Sequence, residues 1–186
     1  MSAPYQTSLD LKTPETAEGD AAKGLKETKE ALGFVPNMYA AMANSPGVLT
    51  TYQNGYAYLR QSAGFSPQEQ EVVFLTISVA NGCGYCRSAH GTIADHKSKV
   101  PTEVTDAILA GKLAPDDKLG ALQRFVQVMF DTRGKPEPAD VEAFKAAGFS
   151  ERHVLEVILA LAVKTLSNYT NHIFHTPVDE AFAGRS

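Results

Sequence analysis

Residues 66–97, SPQEQEVVFLTISVANGCGYCRSAHGTIADHK, contain the clearest helix start in the chain and its only two cysteines. Ser66 is a favourable N-cap, Pro67 suits the first helical position, and Glu69 completes a capping box with Ser66. The largely apolar run 72–79 is rich in β-branched residues and would also suit a buried strand. Because the start is capped and the run is long, we predict a buried helix here.

Helical patterns also fill most of the remaining chain. Apolar residues recur at steps of three and four over residues 46–63, and Gly33 followed by Pro36 marks the end of a helix over 17–32. Further helices are predicted over residues 36–42, 83–97, 101–109, 115–133, 139–147, 150–166 and 168–182. No alternating strand pattern stands out, so we predict an all-α fold.

The length of 186 residues fits a single domain. Residues 1–22 are polar and are predicted to form an N-terminal arm, and residues 23–186 are predicted to form one compact helical domain. The tripeptide Gly64-Phe65-Ser66 recurs as Gly148-Phe149-Ser150, and similar apolar positions follow both copies. A duplicated helical unit is one interpretation, and the shared composition of buried helices is the other.

Composition excludes several classes of protein. Apolar residues make up 44% and charged residues 20%, which is ordinary for a globular protein. Lys and Arg number 17 against 21 Asp and Glu, so no nucleic-acid partner is predicted. No apolar stretch is long enough to span a membrane. Residues 1–20 lack the basic start and apolar core of a signal peptide, so we expect a cytoplasmic protein.

The candidate site is the motif Glu71-x11-Cys83-x2-Cys86-x3-His90. On a helix the two thiols and the imidazole share one face, and thiols one turn apart can form a disulfide. His90 can take the thiol proton or protonate a leaving oxygen. Glu71 lies in an apolar stretch and needs a partner if it is buried, so we expect it to turn back toward His90 or the thiols.

The residues alone leave the choice of nucleophile open. A helix N-terminus at this point would lower the pKa of the Cys83 thiol. The one-turn spacing to His90 instead favours Cys86, which would lie beside a general base. In a reducing compartment, such a close thiol pair is more typical of redox catalysis or metal binding than of a structural disulfide.

A metal site is the main alternative interpretation of the motif. Cys83, Cys86, His90 and Glu71 together offer a set of zinc ligands, although the chain has no second cysteine pair. Attached c-type haem is excluded because Arg87, not histidine, follows the second cysteine. Iron–sulfur clusters need more cysteines.

A second group of polar residues lies near the C-terminus. His172 and His175 follow Asn168 and Asn171 closely in the sequence, and together they could bind a metal or a substrate. Hydrogen bonding within a layer of packed helices is the simpler expectation for them.

The motif resembles that of the alkyl hydroperoxidase D and carboxymuconolactone decarboxylase superfamily, in its peroxidase-related branch. Residues 33–37, GFVPN, and 168–172, NYTNH, add to the resemblance, which covers about residues 25–182. It implies an all-helical fold that assembles as trimers or hexamers. It also implies that Cys86 attacks a peroxide, that Cys83 resolves the product, and that Glu71 and His90 relay protons.

The resemblance further implies that no cofactor is needed and that a lipoyl- or thioredoxin-type dithiol is the reductant. One departure is Tyr85, since the best-studied type has a histidine between the cysteines, and tyrosine is a much weaker base. The apolar segment 154–166 independently suggests a homo-oligomer, because a partner subunit would complete its burial.

We therefore predict a cytoplasmic thiol-dependent peroxidase that reduces organic hydroperoxides. Two alternatives remain: a general thiol–disulfide oxidoreductase or redox sensor, and a non-enzymatic helical assembly module that zinc stabilises.

Overall fold

The computed structural model describes residues 3–185, and within them the fold is entirely helical, with no β-strand. The predicted all-α class is therefore confirmed. Nine α-helices occur in the described part of the chain: α1 Gly19–Leu32, α2 Asn37–Met42, α3 Pro46–Gln61, α4 Pro67–Ala80, α5 Gly84–Ile93, α6 Thr102–Leu109, α7 Asp117–Asp131, α8 Pro138–Ala146 and α9 Glu151–Phe174. A short 3-10 helix, Glu180–Phe182, follows them.

Helix α4 forms the centre of the molecule. Its start is the predicted capping box: the Glu69 amide donates to Ser66 Oγ at 3.2 Å, and the Ser66 amide donates to Glu69 Oε2 at 2.7 Å. Residues 69–78 are all buried, because helices α5, α6, α7 and α9 pack around α4. A helix enclosed on every side has no polar face to show, which explains why its sequence also resembled a buried strand.

Helix α5 starts one residue after Cys83, which occupies the N-cap position. The Cys83 amide donates to the carbonyl of Ser78 at 2.9 Å, so the link between α4 and α5 is a tight turn. Helix α5 continues into a π-helical turn, Ala94–Ser98, which ends at Lys99 in the left-handed conformation with φ of 54°. The turn from α4 places the first residues of α5 beside the last turn of the buried helix.

One prediction about the helices was wrong. Residues 150–166 and 168–182 were expected to form two helices, but α9 runs without a break through Ser167 for 24 residues. No Gly or Pro occurs within α9, and the Asn168 side chain accepts a hydrogen bond from Asn81 Nδ2 at 2.8 Å instead of competing for the helix backbone. The helix ends at Phe174, with His175 as its C-cap, two residues before Pro177.

The segment before α1 runs along the surface of the helices. The Thr7 amide donates to the Ile173 carbonyl at 2.9 Å, and the Lys12 amide donates to the Ala40 carbonyl at 3.0 Å. Helix α1 begins at Gly19, within the segment that was assigned to the arm.

The repeated tripeptide adopts the same local structure twice. Gly64 and Gly148 both have positive φ, at 83° and 95°. Ser66 and Ser150 each begin a helix with a capping box. The Phe65 and Phe149 rings contact one another, with centroids 6.2 Å apart. A duplicated origin stays a prediction.

The close crossing of α3 and α9 depends on Gly55. A Cβ at Gly55 would lie 2.6 Å from Val163 Cγ2. We expect Gly55→Ala to lower the free energy of unfolding, because overpacking costs about 1–3 kcal/mol while the gain in helix propensity is only about 0.5–1 kcal/mol. Urea denaturation measures this change.

Gly47→Ala in the same helix is the matched control, because nothing lies within 4 Å of its added Cβ. This variant should be neutral or slightly stabilising. Equal unfolding midpoints for the two variants would contradict the importance of the α3–α9 contact.

Candidate functional site

The two cysteines are free thiols and both are buried. Cys83 caps α5 and Cys86 lies in its first turn. Asn171 Nδ2, from α9, lies 3.4 Å from Cys86 Sγ and 3.8 Å from Cys83 Sγ. One amide therefore reaches both sulfur atoms, which places them side by side.

The two thiols have opposite acidities. Burial acts to raise the pKa of Cys86, but a hydrogen bond with the Cys83 thiol and the nearby positive charge of Lys164 hold that pKa well below its usual range. The same hydrogen bond, together with burial, raises the pKa of Cys83. Cys86 is thus the thiolate of the pair, and Cys83 keeps its proton and donates it to Cys86. These directions make Cys86 the more acidic thiol, whereas the effect of the helix N-terminus alone would have favoured Cys83.

Glu71 and His90 meet in the interior, as the motif predicted. His90 Nδ1 lies 2.9 Å from Glu71 Oε2, and both side chains are nearly inaccessible to solvent. The other oxygen of Glu71 accepts a hydrogen bond from Arg60 Nη1 at 2.5 Å, and Arg60 Nη2 donates to the Tyr56 hydroxyl at 2.6 Å. The carboxylate therefore links helices α3, α4 and α5.

The charges of this group fix the tautomer of His90. Burial acts to raise the pKa of Glu71, but the contacts with His90 and Arg60 outweigh it and lower that pKa. Burial, and then the charge of Lys164, lower the pKa of His90. An ionised carboxylate can only accept hydrogen bonds, so Nδ1 of a neutral His90 carries the proton and Nε2 is free to act as a base.

A pocket of about 390 Å³ opens onto this group. Cys86, His90, Arg60, Lys97 and Ser98 supply its polar wall. The rest of the lining is largely apolar or aromatic and includes Phe34, Met38, Tyr39, Tyr52, Ile93 and Phe182. A pocket of this size and polarity suits a small organic molecule.

The motif did not reveal three polar residues of the site. Arg60 and Asn171 contact its members directly, and Lys164 on α9 is completely buried. Lys164 Nζ has no hydrogen-bond partner within residues 3–185 and lies 5.8 Å from the centroid of the Phe74 ring. A lysine within the most apolar helix of the chain was the available indication in the sequence.

Tyr85 lies between the two cysteines, at the position where the sequence analysis noted a histidine in the similar peroxidase family. Its side chain contacts the C-terminal segment. Its hydroxyl donates to Asp179 Oδ2 at 2.5 Å. Burial, and then Asp179, raise the pKa of Tyr85. Tyr85 therefore stays neutral and holds the C-terminal segment against α5.

The expectation for His172 and His175 was wrong. Both are exposed: His172 stacks on Tyr169, and His175 ends α9 in the left-handed conformation. The neighbouring Asn168 and Asn171 are the buried pair. Exposed side chains cannot form the predicted layer between packed helices.

The described residues give no support to a metal site. No group of three or more His, Cys, Asp or Glu side chains in residues 3–185 is arranged to hold a metal ion. The Glu71 carboxylate is already occupied by Arg60 and His90.

Comparison with known proteins identifies the relatives of this chain. Residues 46–116, which contain the whole motif, match the model of the Carboxymuconolactone decarboxylase family. An uncharacterized peroxidase-related protein from Ralstonia eutropha JMP134, with an alkylhydroperoxidase AhpD core, is similar with a TM-score of 0.83. The match has 24% identity and covers 94% of this chain and 93% of the other. The chain therefore has the fold of the AhpD-core protein, and its segment 46–116 is similar to the Carboxymuconolactone decarboxylase family.

Two other solved structures share this fold. A peroxidase-related protein from Silicibacter sp. TM1040 has a TM-score of 0.80 at 22% identity, over 99% of this chain and 96% of the other. The debrominase Bmp8 has a TM-score of 0.65 at 17% identity, over 87% of each chain. A cysteine-to-alanine variant of that debrominase is known in complex with 2,3,4-tribromopyrrole. A search of curated proteins gave no match.

Within the described residues, none of the helices has the length and apolar character needed to cross a membrane.

The buried carboxylate of the site makes a measurable contribution to stability. We expect Glu71→Gln to lower the free energy of unfolding by roughly 3 kcal/mol, near the low end for removing one partner of a buried ion pair. The low end applies because the Arg60 side chain keeps 21% of its exposure. Because the pKa of Glu71 is lowered on folding, its contribution is present above the ordinary value of 4.5 and is lost as the pH falls through the folded value. Urea unfolding between pH 7 and pH 3 measures both effects.

Glu69→Gln, two residues earlier on the same helix, is the control. Glu69 pairs with Lys118, whose side chain is 53% exposed, and glutamine can keep the capping box. A loss of about 1 kcal/mol or less is expected for this variant. If both variants lost the same stability and the same acid sensitivity, the Glu71 pair would not have the assigned role.

Proposed function

We propose that the protein is a thiol-dependent peroxidase that reduces organic hydroperoxides with its cysteine pair. The observation that carries the proposal is the low-pKa Cys86 thiol on the wall of an apolar pocket that it shares with His90. Peroxide reduction needs a thiolate, a proton source for the leaving oxygen, and a second thiol to resolve the product. Each of these has a candidate at this site.

The reaction divides into two balanced steps. The Cys86 thiolate attacks the terminal oxygen of the hydroperoxide, the O–O bond breaks, and the alkoxide takes a proton to leave as an alcohol. Cys86 is then a sulfenic acid. The Cys83 thiol condenses with it, which forms the disulfide and releases water. An external dithiol reduces the disulfide and restores both thiols.

His90 and Glu71 have the roles of proton carrier and positioning residue in this scheme. Because Cys86 is already a thiolate, His90 Nε2 takes a proton from solvent and gives it to the leaving oxygen. Glu71 contacts His90 Nδ1, so it acts through the imidazole and never touches the peroxide. Arg60, on the pocket wall beside them, holds the carboxylate of Glu71 ionised.

The site favours a small substrate over a protein disulfide. Cys83 and Cys86 are only 0% and 2% exposed, so a folded protein disulfide has no direct approach to either sulfur. A hydroperoxide with an apolar tail matches the pocket in size and in polarity. This supports the peroxidase over the general thiol–disulfide oxidoreductase. The reductant, a lipoyl- or thioredoxin-type dithiol, and the cytoplasmic location stay predictions.

A thiol titration tests the proposed reaction. Reduced protein mixed with cumene hydroperoxide at pH 7 should lose two thiols per chain, and Cys86→Ser should lose none. Cys83→Ser should lose one thiol and accumulate a sulfenic acid that dimedone traps, because the attacking sulfur remains. His90→Gln should slow the loss by roughly 10²-fold or more, as expected for removal of a general acid–base group.

Cys83→Ser is the matched control for Cys86→Ser, since both remove one buried thiol. No thiol loss in the natural chain, or unchanged loss in Cys86→Ser, would refute the peroxidase. Parallel reactions with an insulin disulfide and with a brominated pyrrole separate the other uses of the thiol pair. If the thiol pair reacted faster with the insulin disulfide or with the brominated pyrrole than with cumene hydroperoxide, that faster compound would indicate the substrate class.

We also propose that the protein works as a homo-oligomer, a trimer or a hexamer. Apolar side chains form an exposed stripe along α9, with Leu155 at 66% exposure, Ile158 at 47%, Tyr169 at 55% and Ile173 at 42%. Such a stripe on a helix is typical of a protein–protein contact. The predicted burial of segment 154–166 thus needs a second copy.

Sedimentation velocity tests this assembly. The natural chain should sediment as a trimer or larger at micromolar concentration. Leu155→Glu with Ile158→Glu should give monomers, because two charges would be buried in the contact. Thr51→Glu with Asn54→Glu, which places two charges at the same spacing on the exposed face of α3, is the control and should leave the assembly intact. A monomeric natural chain would exclude the proposal.

A further inference from the structure

Lys164 is a completely buried cationic side chain. Its side chain is 0% exposed, and Nζ has no hydrogen-bond partner of normal geometry in residues 3–185, although a weaker contact with the Cys86 thiol helps to lower the pKa of that thiol. Its described neighbour is the face of the Phe74 ring, with Nζ 5.8 Å from the centroid. A buried ammonium without a partner is strongly destabilised, and an aromatic face offsets only part of that cost.

The nearby anions are few. Glu71 is already bound by Arg60 and His90 through both of its oxygens. The other titratable groups around Cys86 are neutral or positive: Tyr52, Tyr56 and Arg60 from α3, His90 and Cys83 from α5. The Cys86 thiolate is therefore the unmatched negative charge in this part of the described chain.

The packing of the helices brings these two groups together. Helix α9 packs against both α4 and α5. Asn171, seven residues after Lys164 and on the same face of α9, reaches both sulfur atoms. The Phe74 ring contacts the imidazole of His90, with centroids 5.0 Å apart, as well as Lys164. The Lys164 charge is also close enough to lower the pKa of Cys86.

We propose that the Lys164 ammonium is the charge partner of the Cys86 thiolate and that it shifts the redox equilibrium of the cysteine pair toward the reduced form. The inference rests on the redox cycle of the proposed function. Lys164 is a positioning residue in this scheme, because it acts on the peroxide only through the charge of the sulfur.

The change of charge in the redox step explains why Lys164 would favour the reduced form. Oxidation converts the Cys86 thiolate and the Cys83 thiol into a disulfide and releases two electrons and one proton. The hydroperoxide accepts the electrons and, with that proton and one more from solvent, becomes an alcohol and water. The disulfide is neutral, so Lys164 loses its anion and becomes a buried unpaired charge. The oxidised state is thereby destabilised, which favours its reduction by the external dithiol.

Lys164→Met removes the charge and keeps a side chain of similar length. We expect the pKa of Cys86, followed by thiolate absorbance at 240 nm, to rise by about 1–3 units, the usual effect of losing an adjacent opposite charge. In glutathione buffers, the equilibrium should shift toward the disulfide by at least about tenfold, which corresponds to about 30 mV for a two-electron couple. Urea unfolding of the disulfide form and of the dithiol form should show that Lys164→Met stabilises the disulfide form relative to the dithiol form.

Two control variants separate charge from packing. Lys26→Met removes an exposed lysine of α1 and should leave both the thiol pKa and the equilibrium unchanged. Lys164→Arg keeps the charge and should retain a low pKa for Cys86, even where its larger head group lowers stability. An unchanged pKa and potential in folded Lys164→Met, or an equal change in Lys26→Met, would overturn the proposal.

A measurement on the natural chain covers the case in which Lys164→Met does not fold. The ¹⁵N resonance of Lys164 Nζ should shift on formation of the disulfide at constant pH, whereas that of Lys26 should not. An unchanged Lys164 resonance would refute the charge pair. These measurements use glutathione and do not depend on hydroperoxide. A chain that does not react with hydroperoxides, but still shows the changes in equilibrium and resonance, would therefore refute the peroxidase and support the role of Lys164.

Discussion

A completely buried carboxylate fixes the relative positions of helices α3, α4 and α5. Glu71 can stay ionised in the interior only while Arg60 and His90 contact its two oxygens at 2.5 Å and 2.9 Å. These contacts hold Arg60 at the pocket wall and orient the imidazole. They also place the proton of His90 on Nδ1, which leaves Nε2 as the basic atom of the ring. The chemistry proposed for the site thus depends on one ion pair at the centre of the fold.

A second group of charges lies close to the first, and Phe74 separates the two. Its ring centroid lies 4.8 Å from the guanidinium carbon of Arg60, 5.0 Å from the His90 ring centroid and 5.8 Å from Lys164 Nζ. On one side Glu71 balances Arg60, and on the other the Cys86 thiolate balances Lys164. An apolar ring between the groups excludes water, so each pair keeps the strong interaction of a low-dielectric interior.

The sequence predicts those parts of the site that lie close together along the chain. The spacing of Glu71, Cys83, Cys86 and His90 reveals them because one hairpin of helices carries all four. The capping box at Ser66 and the stop at Gly33 are equally local, so most helix ends could be predicted. Lys164 and Asn171 come from α9, some 80 residues later, and only packing brings them to the thiols. The break expected near Ser167 did not occur, and the Asn168 side chain accepts a hydrogen bond from Asn81 on another part of the chain, a contact that the local sequence does not reveal.

Helix α5 has two functions on two of its faces. Cys83, Cys86 and His90 are the residues of the proposed chemistry, while Tyr85, Ser88 and Thr92 hold the C-terminal segment. Ser88 and Thr92 both donate to the carbonyl of Phe182, whose ring lines the pocket, and Tyr85 binds Asp179. The same ten-residue helix therefore sets the position of the thiols and of the wall that faces them. Because the wall is held through its backbone, a substitution of the Phe182 side chain reshapes the pocket while its attachment to α5 remains. Tyr85 fits this arrangement better than a histidine would, since the ring is neutral and its hydroxyl reaches Asp179. Tyr85 thus helps to hold the segment that lines the pocket, and the proposed mechanism assigns proton transfer to His90.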